Sequence, residues 1–436
     1  MISKDSLWTR FVHIYLEGGL DAVPAGKLDI FTKRQESPPE VSASTFVYGA
    51  RYRARSDAIP IDPIQLKLDQ ANSSANNVRF ESSGVQPLFG AIRDAAPDAW
   101  GRRVIENKLR APANTLTEGD YLENAGPHRI GALDFRASPT AGAVLGHMPE
   151  AKDLQYLLDA AAMVEDGIPV PASLALFFDA GPSLGGARPK AVLLSDGKQW
   201  LAKFPSRGDK FNVPLIETAT LELARKCGLR VPALKSITLA DGRNVMLIER
   251  FDRVAVGEGK FSRRHMVSAL TMLAVHESEM RTSSYADIAK VLSDYGAVGF
   301  VATDKIELFR RMVFNILVTN DDDHLRNHAF LWSAKDKGWR LSDLYDVLPK
   351  PVAASERFQA INVGGQGRLA TLCNALSSAG QFGIRRQDAI DIIHGIAAIV
   401  REWRTHFDAF GVSATEADAV STAFRNPRDI GLEALT

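Results

Sequence analysis

The sequence predicts an α+β protein, with a β-rich first half that contains one inserted helix and a mostly helical second half. Two patterns support this prediction. Short β-branched and aromatic runs between Gly, Pro and Asp-Gly turns dominate first, and apolar residues at three- and four-residue steps dominate from about residue 265. A chain of 436 residues exceeds a single typical core. We therefore predict three parts, at 1–150, 151–252 and 253–436.

The composition limits the class of protein. Lys plus Arg equals Asp plus Glu at 52 each, so no overall field attracts nucleic acid or anionic membrane. Two distant cysteines, Cys227 and Cys373, suit a reducing cytosol and cannot build a cysteine zinc site. Charges interrupt residues 1–30, and no apolar run reaches the length of a membrane span. We expect a soluble, cytoplasmic protein without membrane contact.

The first part is predicted to contain strands and then helices. Residues 67–85 are rich in Asn and Ser and are predicted to be a loop. Residues 87–110 predict a short helix, a stop at Pro97 and a second helix. The other predicted elements are strands at 12–16, 27–31, 45–48 and 129–135 and a helix at 151–164.

The later elements follow from turn and cap signals. Asp196-Gly197 and Asp241-Gly242 each predict a hairpin turn, and Ser284 with Asp287 predicts a capping box. Gly228 predicts the end of a helix. The predicted strands are 191–194, 199–204, 237–249 (a hairpin), 329–332 and 339–341, and the predicted helices are 215–226, 303–319, 386–407 and 414–424.

Three consecutive aspartates, Asp321 to Asp323, follow the apolar helix at 303–319. Adjacent carboxylates there repel one another and oppose the negative end of the helix dipole, so folding alone gives no reason for them. Asp322 and Asn327 stand five apart, as do the aspartate and asparagine of a protein-kinase catalytic loop. Asp346 follows the next hairpin, where the second metal-binding aspartate of a kinase would lie. The alternative is a solvated acidic turn and an unrelated aspartate.

At this loop, oxygen atoms are better candidates for metal ligands than histidine nitrogen atoms. His324 and His328 are four apart and would ligate a metal together if helical. The aspartates and Asn327 already offer the oxygen ligands that Mg²⁺ prefers, so we favour a structural role for both histidines.

A glycine-rich turn covers residues 181–190. It matches neither a Walker A loop nor a dinucleotide fingerprint. Gly185 and Gly186 nevertheless let backbone N–H groups approach an anion closely, and Arg188 and Lys190 supply positive charge. The turn is therefore a candidate phosphate site, with an ordinary glycine-rich turn as the alternative.

Lys203 lies among apolar neighbours on a predicted strand. In a kinase such a lysine contacts the ATP phosphates and is oriented by a helix glutamate, here Glu217. The alternative is an edge-strand lysine with its ammonium in water. The segment Glu249 to Phe251 would offer its backbone to adenine, or would be a plain connector. The order of glycine turn, lysine, glutamate, linker, Asp-x4-Asn and aspartate is that of a two-lobe protein-kinase-like fold.

Together these residues resemble the HipA-type serine/threonine kinases, the toxins of bacterial type II toxin–antitoxin systems. The resemblance covers nearly the whole chain, including an appended N-terminal β-rich subdomain and an all-α C-terminal lobe. The motifs that carry it are Ser183-Leu-Gly-Gly-Ala-Arg-Pro-Lys190, Ala202-Lys-Phe-Pro205, Ile248-Glu-Arg-Phe-Asp-Arg253, Asp322-Asp-His-Leu-Arg-Asn327, Leu344-Tyr-Asp346, Phe89-Gly-Ala-Ile-Arg-Asp94, Pro97-Asp-Ala-Trp-Gly-Arg-Arg103 and Arg129-Ile-Gly-Ala-Leu133.

The resemblance implies a role for each matching position. Asp322 would be the catalytic base, assisted by Lys203, and Asn327 with Asp346 would hold Mg²⁺. Ser183 corresponds to the serine that such kinases autophosphorylate, which expels the glycine loop and inactivates the enzyme. The residues that would contact ATP are Gly185, Gly186, Ala187, Arg188, Lys190, Lys203, Glu249, Arg250, Phe251, His324, Asn327, Tyr345 and Asp346.

The resemblance also implies partners. Known relatives phosphorylate aminoacyl-tRNA synthetases, which stalls translation and promotes dormancy and persistence. A HipB-like helix-turn-helix antitoxin neutralises them and also binds operator DNA.

Two departures from the family pattern concern the site. Asp323 stands where the family often has glycine, so the base could be a neighbour of Asp322, although the spacing to Asn327 favours Asp322. Pro189 removes one backbone donor from the glycine turn. The alternatives are a small-molecule phosphotransferase of the same fold, a non-catalytic antitoxin-binding co-repressor and, more remotely, a metal-dependent nuclease.

Overall fold

The structure, a computed structural model, describes residues 6–34, 37–68, 78–144, 146–174, 176–180, 186–257 and 259–435. The chain divides into two compact units. Unit 1 comprises Met1–Arg207 and Glu249–Val267, and unit 2 comprises Gly208–Ile248 and Ser268–Thr436. The predicted division into three parts stays a prediction.

Unit 1 contains an antiparallel five-stranded sheet of order β4-β3-β2-β1-β5. Val12, Ile14 and Leu28 are buried in it. The loop predicted at 67–85 is wrong at its end, because residues 79–83 pair with β3 as an edge strand. Phe80 is the only large apolar residue of that strand, which left the pattern too weak to recognise; residues 69–77 lie outside the described ranges. The strands are β1 Ser6–Tyr15, β2 Ala22–Lys33, β3 Glu40–Tyr48, β4 Arg79–Ser83 and β5 Leu133–Arg136.

Unit 1 also contains two hairpins. In the first, β6 (Lys190–Ser195) pairs with β7 (Lys198–Lys203). Asp196 and Gly197 both have positive φ, at 50° and 69°, as a two-residue turn of this kind requires, so the predicted turn is confirmed. The second hairpin, β10 (Arg253–Gly257) with β11 (Lys260–Arg263), was not predicted.

Of the helices of unit 1, α2, α3 and α5 lie where the sequence predicts helices, whereas α1, α4 and α6 were not predicted. Pro97 separates α2 from α3, as predicted. The helices are α1 Ala50–Arg53, α2 Gly90–Ala95, α3 Ala99–Leu109, α4 Glu118–Asn124, α5 Leu154–Glu165 and α6 Phe177–Ala180.

Unit 2 begins with a helix and a hairpin and continues mostly as helices. Helix α7 ends at Lys226 with Cys227 as its C-cap, and the next residue, Gly228, has a φ of 80°, which confirms the predicted stop. Ser284 and Asp287 form the predicted capping box of α9. The strands are β8 Leu234–Thr238, β9 Asn244–Glu249 (its last residue in unit 1), β12 Met266–Ser268 (shared by the units), β13 Ala329–Ser333 and β14 Gly338–Leu341. The helices are α7 Val213–Lys226, α8 Ala269–Met272, α9 Tyr285–Tyr295, α10 Val301–Val318, α11 Leu372–Ser377, α12 Arg386–Arg401, α13 Trp403–Ala409 and α14 Ala414–Ala419.

Helix α10 is the centre of unit 2. Leu308, Met312 and Phe314 are fully buried on it, as are most of the residues from 311 to 318. No helix within the described ranges combines the length and apolar character needed to cross a membrane.

Candidate active site

The candidate catalytic loop begins where α10 stops. Thr319 takes a left-handed conformation, with φ 52° and ψ 50°, and turns the chain out of the helix. The N–H of Asn320 then donates to the carbonyl oxygen of Asn315, at 2.9 Å, and their side-chain amides also bond. The acidic loop therefore leaves the helix from a fixed point.

The three aspartates of this loop occupy three different environments. Asp321 pairs with Lys350, with 3.0 Å between carboxylate oxygen and Nζ. Asp323 is buried, with an exposed fraction of 1%, whereas Asp322 is exposed. These different environments separate the three carboxylates and so reduce the repulsion expected between adjacent aspartates. Asp322 is the member of the run whose carboxylate faces solvent.

A buried network holds Asp323. Its Oδ2 accepts hydrogen bonds from the hydroxyl of Tyr285 at 2.5 Å, from Nδ2 of Asn315 at 2.8 Å and from Nε2 of His328 at 3.1 Å. Burial by itself raises the pKa of Asp323, but the charge of His328 and the bonds from His328 and Tyr285 outweigh it and hold that pKa below its usual value. Burial and the neighbouring carboxylate raise the pKa of Tyr285 well above its usual value, so its hydroxyl remains a donor. Asp323 is therefore a structural anchor of the loop.

Asn327 closes the loop onto Asp322. Its Nδ2 donates to the backbone carbonyl oxygen of Asp322 at 3.1 Å, and its own N–H donates to the carbonyl of His324 at 2.9 Å. The Asn327 side chain is buried, with an exposed fraction of 5%. Because its amide nitrogen is fixed on Asp322, the orientation of its amide oxygen is fixed as well.

Tyr345 ties the segment that carries Asp346 to the same loop. The Tyr345 hydroxyl donates to the carbonyl oxygen of Arg326 at 2.7 Å. Asp346 is exposed and has a φ of 59°, an unusual value for a residue with a side chain. The structure thus brings the predicted residues Asp322, His324, Asn327, Tyr345 and Asp346 to one region of unit 2.

The donor set at this loop fits Mg²⁺. It consists of an amide oxygen held in one orientation at Asn327 and an exposed carboxylate at Asp346, both hard oxygen ligands. The described ranges contain no group of three or more His, Cys, Asp or Glu side chains placed to hold a metal ion. His328 is buried and bonds through Nε2 to Asp323, which fits the structural role predicted for it. The structural role predicted for His324 stays a prediction.

In unit 1, two lysines share one end of the β6–β7 hairpin. Lys190 and Lys203 occupy directly opposed positions, and their exposed fractions are 5% and 8%. Like charges placed opposite each other on neighbouring strands are unfavourable for folding, whereas an anion between them is favoured. The pair suits a phosphate group.

The glycine turn is attached to the start of α3. The N–H of Gly186 donates to Oδ2 of Asp98 at 2.7 Å, and the N–H of Trp100 donates to the carbonyl of Gly186 at 3.1 Å. Nε1 of Trp100 donates to the carbonyl of Lys190 at 2.9 Å, and Arg103 donates to the carbonyl of Ala187 at 2.6 Å. Gly185 and Ser183 lie outside the described residues, so their predicted roles stay predictions.

The segment after β9 contains a buried ionic network. Asp252 accepts hydrogen bonds from the guanidinium groups of Arg250 and Arg253 and from the N–H of Gly131. Burial by itself raises the pKa of Asp252, but Arg250 and Arg253 outweigh it and hold that pKa below its usual value. Arg250 also donates to the carbonyl of Arg129, and its own N–H donates to Gln199.

The Arg250 side chain therefore fixes the loop that contains Gly131. The predicted contacts of Glu249, Arg250 and Phe251 with adenine, through the backbone, stay predictions. Glu217 is buried on α7, and its predicted pairing with Lys203 also stays a prediction.

Sequence reasoning missed several residues that shape the site. Tyr285 and Asn315 are distant in sequence from the loop that they hold, and no local pattern marks them. Asp98 and Trp100 belonged to a motif that the resemblance included, but without a role. The sequence contained one indication of a role for Asp98, since an aspartate just before a helix is typical of an N-cap. In the structure its carboxylate accepts instead from the N–H of Gly186 in the glycine turn.

Comparison with known proteins gives one family and one fold. The model of the HipA-like C-terminal domain matches residues 182–403, just over half of the chain. Two proteins of Sinorhizobium fredii are similar in sequence. "Putative kinase Y4mE" is 27% identical over 292 residues, 62% of this chain and 65% of that protein, and "Putative kinase Y4dM" is 27% identical over 188 residues, 40% of this chain and 44% of that protein. The chain thus spans about two thirds or less of these relatives.

Among solved structures, a chain of the Shewanella oneidensis MR-1 complex of HipA, HipB and operator DNA superposes with a TM-score of 0.65. The superposition covers 98% of this chain and 96% of the Shewanella oneidensis chain, and the two sequences are 16% identical. This likeness confirms the predicted α+β kinase-like fold class.

Proposed function

We propose, from the premise that this chain belongs to the HipA-like family, that it is a serine/threonine-protein kinase that transfers the γ-phosphate of ATP to a protein hydroxyl. The observation that carries the proposal is the loop at 321–327. Asp322 is exposed in this loop, whereas Asp323 is buried in a hydrogen-bonded network and the buried Asn327 donates to the backbone of Asp322. A general base needs this combination of access and fixed position.

In the proposed reaction, Asp322 orients the substrate hydroxyl and accepts its proton as the new P–O bond forms and the bond to ADP breaks. Lys190 and Lys203 hold the phosphates, supported by their opposed and buried positions. Asn327 and Asp346 would hold Mg²⁺, which supplies neutralisation of the phosphate charge when bound.

The proposed partners follow from the family. The Shewanella oneidensis complex contains HipB and operator DNA, which supports a HipB-like antitoxin, and operator DNA through it, as partners of this chain. We propose an aminoacyl-tRNA synthetase as the substrate and Ser183 as the site of inhibitory autophosphorylation. A synthetase substrate would place the reaction in the cytoplasm.

The test is transfer of labelled γ-phosphate from ATP to protein in a cell lysate, followed by mapping of the phosphorylated residues. Label on one foreign protein at a serine or threonine, lost in Asp322→Asn, is the expected result. Label on small molecules alone would indicate the small-molecule phosphotransferase instead. No transfer, combined with tight binding of an antitoxin from the neighbouring gene, would indicate the non-catalytic co-repressor.

A further inference from the structure

We infer that Asp98 and Trp100, at the start of α3, are positioning residues for the phosphate-binding turn. This inference rests on the proposed function, because it assigns a task to residues outside the proposed catalytic and phosphate-binding set. We call the segment 97–103 the clasp. It lies in unit 1, as does the glycine turn at 186–190 that it holds.

The first argument is the unusual use of the helix cap. Asp98 is the N-cap residue of α3, but its side chain accepts no bond from its own helix. A capping aspartate ordinarily accepts from an N–H of the first turn. Here its carboxylate accepts from the N–H of Gly186 at 2.7 Å, and the carbonyl of Gly186 accepts from the N–H of Trp100 at 3.1 Å. The helix start and the glycine turn therefore cap each other.

The second argument concerns which groups of the turn face the clasp. The carbonyls of Gly186, Ala187 and Lys190 all accept hydrogen bonds from Trp100 or Arg103. In a planar trans peptide the carbonyl and the N–H of the next residue point in opposite directions. The N–H groups of Ala187 and Arg188 are consequently turned away from the clasp.

This geometry changes the prediction for the phosphate cradle. The N–H of Gly186, which the sequence offers to a phosphate, is taken by a carboxylate. The N–H groups of Ala187 and Arg188, which face away from the clasp, would be the backbone donors to a phosphate. Glycine is strongly favoured at 186, since its φ of 93° is a backbone conformation that residues with a side chain rarely adopt.

The third argument is rigidity. Trp100 is fully buried and bonds with its ring N–H to the first residue of β6. The clasp thus attaches the turn to the body of unit 1 through a side chain with little freedom to move. A prepositioned turn binds a phosphate with a smaller loss of entropy.

The experiment compares Asp98→Ala and Trp100→Phe with the wild-type protein. The readouts are the Kd for a non-hydrolysable ATP analogue with Mg²⁺, the KM for ATP and kcat, and hydrogen exchange of the amides at 186–191. We expect Asp98→Ala to raise Kd and KM about tenfold, because a charge-assisted bond is lost, with kcat changed less than threefold. Faster exchange at 186–191 in both variants would show that the clasp is broken.

Thr117→Ala is the matched control. Thr117 caps α4 in the same unit; its side chain accepts a hydrogen bond from the N–H of Asp120 and donates one to the Asp120 carboxylate. It should lower the stability of the protein without changing Kd or the exchange at 186–191.

The outcomes separate this inference from the proposed function. Suppose that the wild-type protein binds the analogue. The inference alone would then be overturned if both clasp variants had the wild-type Kd, or if Thr117→Ala raised Kd as much as they do. A fall in kcat at constant KM would also overturn it. A wild-type protein that binds no nucleotide would overturn the proposed function and this inference with it.

Discussion

Lys190 and Lys203 stand directly opposite each other on two antiparallel strands, and both are buried. We predict that Lys203→Met weakens ATP binding at least tenfold, because the variant loses a buried cation that we propose to hold the phosphates. A ligand that binds only the folded state raises the melting temperature, so saturating Mg·ATP should stabilise the wild-type protein and not the variant. Thermal unfolding with and without nucleotide measures this difference. Lys27→Met removes an exposed strand lysine and should keep the full response.

The exposure of Asp322 supports the proposal that it is the base within the acidic run. Asp322→Asn should lower phosphate transfer about a thousandfold, the size of a typical general-base contribution. Asp321→Asn removes only the partner of Lys350 and should keep most of the activity. Initial rates of labelled phosphate transfer compare the two. Equal losses in both variants would show that the run acts as a diffuse acidic patch.

Asp346 is predicted to hold the metal with Asn327. Asp346→Asn should lower transfer about a thousandfold, because neutralisation of the developing charge is the largest catalytic contribution. Since the remaining ligand set binds Mg²⁺ less tightly, the concentration for half-maximal rate should rise. A titration of rate against Mg²⁺, started from protein treated with a chelator, measures it. An unchanged Mg²⁺ dependence would remove Asp346 from the metal site.

Asp323 should contribute stability in a pH-dependent way. Its pKa is depressed in the folded state, so its contribution is present above the unfolded value of about 3.9 and is lost as pH falls through the folded value. We expect Asp323→Asn to lower the free energy of unfolding by ~3 kcal/mol at pH 7, because three buried donors lose a charged acceptor. Urea unfolding from pH 7 to pH 3 should show a constant difference down to about pH 5 and a shrinking one below. A difference that grows in acid would contradict this account.

The Asp252 network predicts a contrast between buried and exposed ion pairs. Asp252→Asn leaves Arg250 and Arg253 buried without their carboxylate and should cost about 3–5 kcal/mol of stability. Asp241→Asn breaks an exposed pair with Arg243 and should leave the free energy of unfolding unchanged within error. Urea unfolding at neutral pH compares the two, and similar losses would refute the role given to burial.

Local signals predicted most of the fold. The Asp196-Gly197 turn, the Ser284 capping box and the end of α7 depend on neighbouring residues, and the sequence contains those neighbours. Strand β4 and the β10–β11 hairpin were missed because sheet pairing depends on distant partners as much as on propensity.

The same distinction between local and distant partners applies to the candidate site. The Asp322 to Asn327 spacing is visible along the chain, but the environments of the three aspartates are not. Asp323 is buried because Tyr285 and His328 meet it through tertiary packing. A carboxylate that looks redundant in sequence is thus an anchor in the structure. The clasp was hidden for the same reason, since Asp98 and Gly186 are far apart along the chain.

The left-handed backbone of Asp346, with its φ of 59°, has an evolutionary consequence. A residue with a side chain costs about 1 kcal/mol or more in that conformation, and glycine costs almost nothing. A laboratory selection for heat resistance alone should therefore enrich Asp346→Gly. The selected variants should be more stable and should lack phosphate-transfer activity. If Asp346 holds the metal as proposed, the carboxylate at this position contributes to catalysis and reduces the stability of the fold.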